Sequence, residues 1–346
     1  MKRVGINGLG RIGRLVLHHY QKNPSDDVEI VAANDLNPAE DIAYLMKYDS
    51  IHGISPFNIH IEKKNIESSE KNEEFEKIVT DKSTLILCSE KDPSKIPWKK
   101  LDVDIVLECT GIFRRRNDAA KHLDAGASKV IISAPSSSAD LTVVLGANET
   151  QYDPKKHDII SNASCTTNSL APPVKVLHDV FGIKHLLATT VHAYTASQTL
   201  VDKTMRKRRR GRAAAISLIP TTTGAAKATE LVLPELKNKM DAIAIRAPIA
   251  DGAITDIVAE LNQNATVDQV NMELKKAADG PLHGILEYTE EDLVSADIIG
   301  NLHSGIIDGK STKVIDDRMV KVLVWYDNEA GYAKRLLELA EYISKQ

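Results

Sequence analysis

The stretch Ser161-Asn162-Ala163-Ser164-Cys165-Thr166-Thr167-Asn168 sets one cysteine among hydroxyls and amides, just after the apolar pair Ile159-Ile160. A thiol at the start of a helix meets unpaired N–H groups and the positive end of the helix dipole, and both favour thiolate. Its neighbours are hydrogen-bonding groups suited to an oxyanion or a phosphate. Cys165 therefore reads as a nucleophile. By contrast, Cys109, in Val106-Leu107-Glu108-Cys109, reads as an inert core thiol. The partner is sought among 11 histidines, most of which are expected to be structural or surface groups. His192 differs because a predicted strand, Leu186 to Val191, delivers it into the polar run Ala193-Tyr194-Thr195-Ala196-Ser197. As general base it would hold Cys165 as thiolate and take a proton from a substrate hydroxyl.

Anion ligands are the other chemistry on offer. Arg206-Lys207-Arg208-Arg209-Arg210-Gly211-Arg212 is the most basic segment. It reads as a nucleic-acid patch, a solvated loop, or a source of one or two arginines for a small phosphate, helped by Thr221-Thr222-Thr223-Gly224. No aromatic residue interrupts the run, which weakens the nucleic-acid reading. Arg246, at the end of a predicted strand Ala242 to Ile245, is a separate anion ligand, or else needs a carboxylate partner.

These groups need a frame. Arg3-Val4-Gly5-Ile6-Asn7 reads as a buried strand running into Gly8-Leu9-Gly10-Arg11-Ile12-Gly13, then a helix with Ile12, Leu15, Val16 and Tyr20 on its apolar face. A second strand, Val28 to Ala33, ends in Asn34-Asp35. Glycine spacing, strand, helix and a later acid together predict a dinucleotide-binding unit. Gly8 permits the turn, Gly10 admits a pyrophosphate, Gly13 lets helix pack on strand, and Asp35 accepts from ribose hydroxyls. Further strands are predicted at Thr84 to Cys88, Ile105 to Glu108 and Val130 to Ser133, with a helix Asn117 to Ala125 ending at Gly126. The loops Thr110-Gly111 and Ser133-Ala134-Pro135 then follow strand ends, where a cofactor binds. The Lys/Glu-dense span Glu62 to Asp81 reads as a solvated surface excursion.

From Cys165 onward the pattern changes. An amphipathic helix carries Leu170, Val174, Leu177 and Phe181, with Pro172-Pro173 inside it. Strands at Ala253 to Leu261 and Val320 to Trp325, with a helix Val267 to Ala278, predict a largely antiparallel sheet. The last helix places Leu336, Leu337, Ala340 and Ile343 on one face and is expected to pack back on the first domain, bringing Asn328 towards a nicotinamide. The fold class is α/β: an N-terminal Rossmann domain over 1–163, joined by helix 329–346, and an α+β catalytic domain over 164–328.

Composition bounds the rest. A chain of 346 residues, 42% hydrophobic and 27% charged, has material for two soluble cores. A net charge of -4 speaks against a general nucleic-acid or membrane-surface binder. Three cysteines, Cys88, Cys109 and Cys165, with no paired spacing, suit a reducing compartment. With no membrane-length apolar run and no signal-peptide shape at the start, the expected place is the cytoplasm. No metal is predicted.

Taken together, these segments resemble the phosphorylating glyceraldehyde-3-phosphate dehydrogenase family. The resemblance is carried by Ile6 to Arg14, Lys47-Tyr48-Asp49-Ser50, Ser161 to Asn168, Thr189 to Thr195, Thr221 to Ala228 and Trp325 to Glu329. It implies that Cys165 attacks the aldehyde of glyceraldehyde 3-phosphate, that His192 takes the hydroxyl proton, and that inorganic phosphate cleaves the thioester. It further implies that Thr195 and Arg246 hold the substrate phosphate, and that Ser164, Thr166, Thr223 and Gly224 hold the attacking one, with Arg210 between. Contacts to NAD are implied for Arg11, Ile12, Asp35, Lys91, Ser133 and Asn328, and a homotetramer in which the loop around Thr199 to Arg212 reaches a neighbouring cofactor. Thr110, after its strand, joins the cofactor set.

There are departures from the family pattern. Ser169 stands where many members have a second cysteine, so a local disulfide route for Cys165 is lost. Asp202-Lys203-Thr204-Met205 lacks a proline common in NAD-restricted members, which leaves NADP open as a second cofactor. Ile249-Ala250-Asp251-Gly252 replaces a more usual Thr-Pro-Asn-Val, and Lys91 a frequent Arg. The rivals are erythrose-4-phosphate dehydrogenase, against which Thr222 to Lys227 speaks, and a NAD-site protein with a binding or regulatory role. The glycine spacing of aspartate-semialdehyde dehydrogenase differs from that found here.

Overall fold

The computed structural model describes residues 1–67 and 72–346. The chain forms two compact units, one of Met1–Thr142, Tyr152–Asn162 and Ala333–Gln346, the other of Val143–Gln151 and Ala163–Tyr332.

The first unit is built on a nine-stranded sheet, in spatial order Leu141–Thr142, Ile159–Ser161, Lys129–Ile132, Ile105–Glu108, Lys2–Asn7, Val28–Asn34, Thr84–Cys88, Asn72–Thr80 and Ile59–Glu67. The first seven strands run parallel. Their centre is buried on both faces, so Val4, Ile6, Ile30, Val106, Leu107 and Ile131 form near-continuous apolar runs in the sequence. Strand order reverses at Lys2–Asn7, which lies between Val28–Asn34 and Ile105–Glu108. In parallel α/β sheets, ligands bind outside the strand carboxyl ends at such a reversal.

Two expectations need correction. The span Glu62 to Asp81 is a β-hairpin: Ile59–Glu67 pairs antiparallel with Asn72–Thr80, which pairs antiparallel with Thr84–Cys88. Ile78 in it is buried at 1% exposure, so the span is an edge extension of the sheet. Its tip, 68–71, lies outside the described residues. The helix expected over Asn117 to Ala125 is two short helices, Arg116–Ala119 and Lys121–Asp124, interrupted at Ala120. Gly126 does close the segment, at φ +107°, and a Cβ there would lie 2.4 Å from that of Lys99.

The second unit has a seven-stranded sheet, Ile219–Thr222, Met240–Ala247, Ile183–Ala193, Ala253–Leu261, Met319–Tyr326, Gly305–Ile315 and Leu286–Thr289. Most neighbours are antiparallel; the exceptions are Ile183–Ala193 with Met240–Ala247, and Leu286–Thr289 with Gly305–Ile315. Burial alternates strictly along Ala253–Leu261, the period-two signature of a sheet with one covered face. That face packs on Cys165–Phe181, Ala225–Val232 and Val267–Asp279, around Leu170, Val174, Leu177, Ile257, Val322 and Val324. Val267–Asp279 begins with a capping box between Thr266 and Gln269. Both expected fold halves are present: a mainly parallel dinucleotide-type sheet, and a mostly antiparallel α+β unit.

The final helix, Ala330–Ser344, buries Leu336, Leu337, Ala340 and Ile343, and its residues from Ala333 on belong to the first unit. Lys345 there pairs with Asp27 at 2.8 Å. No described helix is long and apolar enough to cross a membrane.

Asp49, within the Lys47-Tyr48-Asp49-Ser50 motif, pairs with Arg11 and accepts the N–H groups of Ile51 and His52 at 2.9 and 3.0 Å. Burial works against its charge, but Arg11 and the two N–H groups win and bring the carboxyl down to about 2. A folded value below the unfolded one stabilises the protein above about pH 4, and that contribution is lost as pH falls towards 2. Asp49→Asn should therefore lower the melting temperature near neutral pH, with the deficit shrinking through that acid window. A deficit independent of pH would contradict the pairing.

Candidate active site

Cys165 is the first residue of the helix Cys165–Phe181. Ser164 caps it: its Oγ accepts the Thr167 N–H at 3.1 Å, and its carbonyl accepts the N–H of Asn168 at 2.9 Å. Just before it, Ala163 takes φ +55°, a left-handed conformation that a side chain disfavours. Its carbonyl accepts the Tyr332 hydroxyl at 3.2 Å. Cys165 is thus presented from a strained, tied-down turn.

Cys165 Sγ lies 3.4 Å from His192 Nε2. His192 falls within the strand Ile183–Ala193, one residue before its end, and is 3% exposed. Its partner in register on the adjacent parallel strand is Arg246, itself inside Met240–Ala247. Parallel pairing points the two side chains to one face, and no carboxylate is needed to hold the arginine. Arg246 Nη1 is 2.8 Å from the Ala193 carbonyl, to which it donates, and 2.6 Å from His192 Nδ1. Nδ1 also lies 2.8 Å from that carbonyl. If Nδ1 carries the hydrogen and donates it to Ala193, Nε2 offers a lone pair towards Sγ; if Arg246 donates to Nδ1, the hydrogen sits on Nε2. The arginine thus governs the tautomer.

Burial pushes the Cys165 thiol above its ordinary value, against the pull of the Arg246 charge and of hydrogen bonds from Thr166. The helix start alone predicted the opposite direction; the dry surroundings outweigh it. Burial and the Arg246 charge likewise lower His192, to about 3, so its neutral form is favoured.

Tyr326 was not singled out by its sequence context. It is 1% exposed and its hydroxyl contacts both Thr166 Oγ1, at 2.9 Å, and Thr190 Oγ1, at 2.8 Å. Its ring stands edge-on to His192, 5.9 Å between centroids. One buried phenol therefore links the turn after Cys165 to the strand that carries His192. Ser169, in place of a second cysteine, donates to the Thr166 carbonyl at 3.0 Å.

A second polar cluster gathers the other anion candidates. Arg210 donates to Thr221 Oγ1 at 3.0 Å, Ser197 Oγ at 3.2 Å and the Thr222 carbonyl at 3.3 Å. Ser197 in turn contacts Thr195 Oγ1 at 2.8 Å. Thr223 Oγ1 accepts the Ala225 N–H at 3.2 Å, and Gly224 caps the helix Ala225–Val232 with open space around its Cα. The Arg210 charge acts on both His192 and Arg246, so the two clusters share one electrostatic field. Arg208 and Arg209, by contrast, are solvent-exposed. Ser164 and Thr166 keep their hydroxyls in the helix cap and on Tyr326.

In the first unit, a cavity of about 550 Å³ is lined by Gly8, Gly10, Asp35, Lys91 and Thr110, among others. Gly8 has φ +96°, and a Cβ on Gly13 would lie 2.1 Å from the Gly8 carbonyl oxygen, so neither position accepts a side chain. Nothing lies within 4 Å of a Cβ built on Gly10, which leaves that backbone open to a ligand. Asp35 accepts the Leu9 N–H at 2.8 Å and closes the turn. This is a fitting cradle for a dinucleotide. Arg11, Ile12, Gly13 and Ser133 do not line the cavity: Arg11 is held by Asp49, and Ser133 bonds Cys109. Cys109 is half-buried and lines the cavity, so it is no core thiol, although burial and Glu108 raise it to about 12. Asn328 lies in the second unit, 5% exposed, with no hydrogen-bond partner for its Oδ1 among the described residues.

A mainly parallel glycine-loop sheet, with a thiol–imidazole–guanidinium group on a separate α+β unit, defines the class of dinucleotide-dependent dehydrogenases. Comparison with known proteins makes the class specific. Residues 2–116 match the glyceraldehyde 3-phosphate dehydrogenase NAD binding domain, and residues 164–328 match the C-terminal domain of that enzyme. Glyceraldehyde-3-phosphate dehydrogenase of Geobacillus stearothermophilus is 52% identical over 99% of this chain and 98% of its own. Glyceraldehyde-3-phosphate dehydrogenase 1 of Bacillus subtilis (strain 168) is 51% identical over the same shares, and the Mycobacterium bovis enzyme 48% identical over 99% and 98%. The chain belongs to the glyceraldehyde-3-phosphate dehydrogenase family, as the resemblance implied.

Removing the bridging phenol tests the architecture of the site. Tyr326→Phe leaves two buried hydroxyls one partner short and should cost about 1–3 kcal/mol in urea unfolding. An unchanged midpoint would show that the Thr166–Tyr326–Thr190 link contributes nothing.

Proposed function

We propose that the protein is a phosphorylating glyceraldehyde-3-phosphate dehydrogenase, oxidising glyceraldehyde 3-phosphate with NAD and inorganic phosphate to 1,3-bisphosphoglycerate. The observation that carries this reading is Cys165 Sγ at 3.4 Å from His192 Nε2, with Arg246 against the same imidazole. The Cys165 sulfur adds to the aldehyde carbon, giving a thiohemiacetal on the enzyme. His192 Nε2 takes the hydroxyl proton of that adduct, which the neutral tautomer with its hydrogen on Nδ1 permits. NAD, when bound at Gly8, Gly10, Asp35, Lys91 and Thr110, supplies the oxidising power by accepting hydride. The resulting thioester retains enough free energy for phosphate oxygen to attack its carbon, release the Cys165 sulfur and leave an acyl phosphate.

Two phosphates need two cationic places. Arg246 and Thr195 serve the substrate's own phosphate; Ser164, Thr166, Thr223 and Gly224 serve the attacking one, with Arg210 bonded between the Thr195 loop and the Thr221–Thr222 strand. The Asp35 carboxylate favours NAD over NADP, whose extra phosphate it repels. Exposed Leu187, Ile216, Leu218 and Ile243 on the second unit support a homotetramer, since a lone molecule gains nothing by wetting them. Cys88, Cys109 and Cys165, none of them in a disulfide, support a cytoplasmic, reducing setting.

Purified protein given glyceraldehyde 3-phosphate and NAD should make NADH in steady state only when inorganic phosphate is added; phosphate-independent turnover would mean thioester hydrolysis. Cys165→Ser should abolish this turnover while NAD still binds, and retained turnover would remove the nucleophile. Arg246→Ala should cut kcat/KM for glyceraldehyde 3-phosphate by roughly 100-fold or more, the scale of a lost charged hydrogen bond. The same variant should lose much less on unphosphorylated glyceraldehyde. Equal losses on both aldehydes would take Arg246 out of the phosphate site.

A further inference from the structure

Beneath the dinucleotide cavity lies a buried polar group that the reaction does not use. Glu108 ends the strand Ile105–Glu108 and is 1% exposed, an unusual place for a carboxylate. Four donors meet it. Oε2 accepts Asn7 Nδ2 at 2.6 Å and faces His122 Nε2 at 3.0 Å; Oε1 accepts the Thr110 N–H at 2.9 Å and the Thr110 hydroxyl. The histidine's proton is assigned by its other neighbour. Trp98 Nε1, which can only donate, lies 3.0 Å from His122 Nδ1, so Nδ1 accepts and the hydrogen sits on Nε2, aimed at Glu108.

The chain of bonds continues across the sheet. Asn7 Oδ1 accepts Asn34 Nδ2 at 2.9 Å, Asn34 Nδ2 also donates to the Glu90 carbonyl at 2.9 Å, and Asn34 Oδ1 accepts the Glu90 N–H at 2.7 Å. Thr110 and Glu90 both line the cavity, as do Asn7 and Asn34. We propose that Glu108 is a positioning residue for the cofactor: its filled carboxylate ties the Thr110 wall of the crevice to the Glu90–Lys91 wall and sets their spacing before NAD enters. This deepens the cofactor reading above and rests on it. Pre-organised walls lower the ordering cost that binding would otherwise carry. Isosteric Glu108→Gln would turn one oxygen into an amide nitrogen, and two of the four donors would then face a donor.

Calorimetric titration with NAD of the full-length protein, Glu108→Gln, Thr110→Val and the double variant tests this. Wild-type protein that does not bind NAD sinks the cofactor reading and the proposal with it. If it binds, Glu108→Gln should weaken NAD by roughly 10- to 100-fold, the scale of a disrupted charged hydrogen bond. KM for NAD should rise accordingly, while kcat at saturating NAD stays near wild type. Because Glu108 acts through Thr110, the double variant should lose no more than the worse single one. Wild-type affinity in Glu108→Gln, or fully additive losses, would overturn the proposal. Should that variant not fold, Trp98→Phe removes the donor that orients His122 and keeps most of the core volume. It should weaken NAD by roughly 3- to 10-fold, and unchanged affinity there also overturns the proposal.

Discussion

A thiol, an imidazole and a guanidinium have to share one nearly dry place in the second unit. Much of that unit's architecture answers this demand. The parallel pairing of His192 with Arg246 puts both side chains on one face, and the helix start brings Cys165 to them from the other side. Opposed influences then balance: burial raises the thiol and lowers the imidazolium, while Arg246 draws the thiol back. The hydroxyls of Thr166 and Thr190, gathered by Tyr326, complete the group without adding charge.

The first unit solves a related problem by other means. A parallel sheet buried on both faces leaves little room for polar side chains, yet a dinucleotide has to be gripped at its strand ends. Asn7, Asn34 and Glu108 end three adjacent strands and are each almost wholly buried. They satisfy one another, so the cost of burying a carboxylate is offset by four donors. The glycine loop needs no such network, because its constraint is steric: Gly13 has to let the helix start close over the Gly8 carbonyl.

Features set by local pattern were legible from residues alone. The glycine loop, the acid ending the second strand, the capped helix at Cys165 and the alternation along Ala253–Leu261 all follow from neighbours in sequence. The pairing of Cys165 with His192 was legible as chemistry, since a strand ending in histidine beside a polar run is uncommon. Register was not legible, and so Arg246 against His192, held there by the Ala193 carbonyl, emerged only in the fold. Tyr326 and His122 were hidden for the same reason, their partners lying 160 and 14 residues away. The hairpin over Glu62 to Asp81 was obscured by its charge, because an edge strand tolerates Lys and Glu that a central strand excludes. Cys109 was misplaced because two apolar neighbours, Val106 and Leu107, say nothing about what faces the end of their strand.

The interleaving of the two units along the chain bears on how the molecule is made. Apart from a short piece at 143–151, the second unit is one uninterrupted stretch, whereas the first draws Ala333–Gln346 from beyond it. That segment is made after the whole of the second unit, so the cofactor unit waits, incomplete, while its neighbour already has every strand it needs. Loss of residues from Ala333 on would therefore fall on the dinucleotide-binding unit, most of which lies about two hundred residues or more earlier in sequence, and leave the strands of the thiol-bearing unit intact.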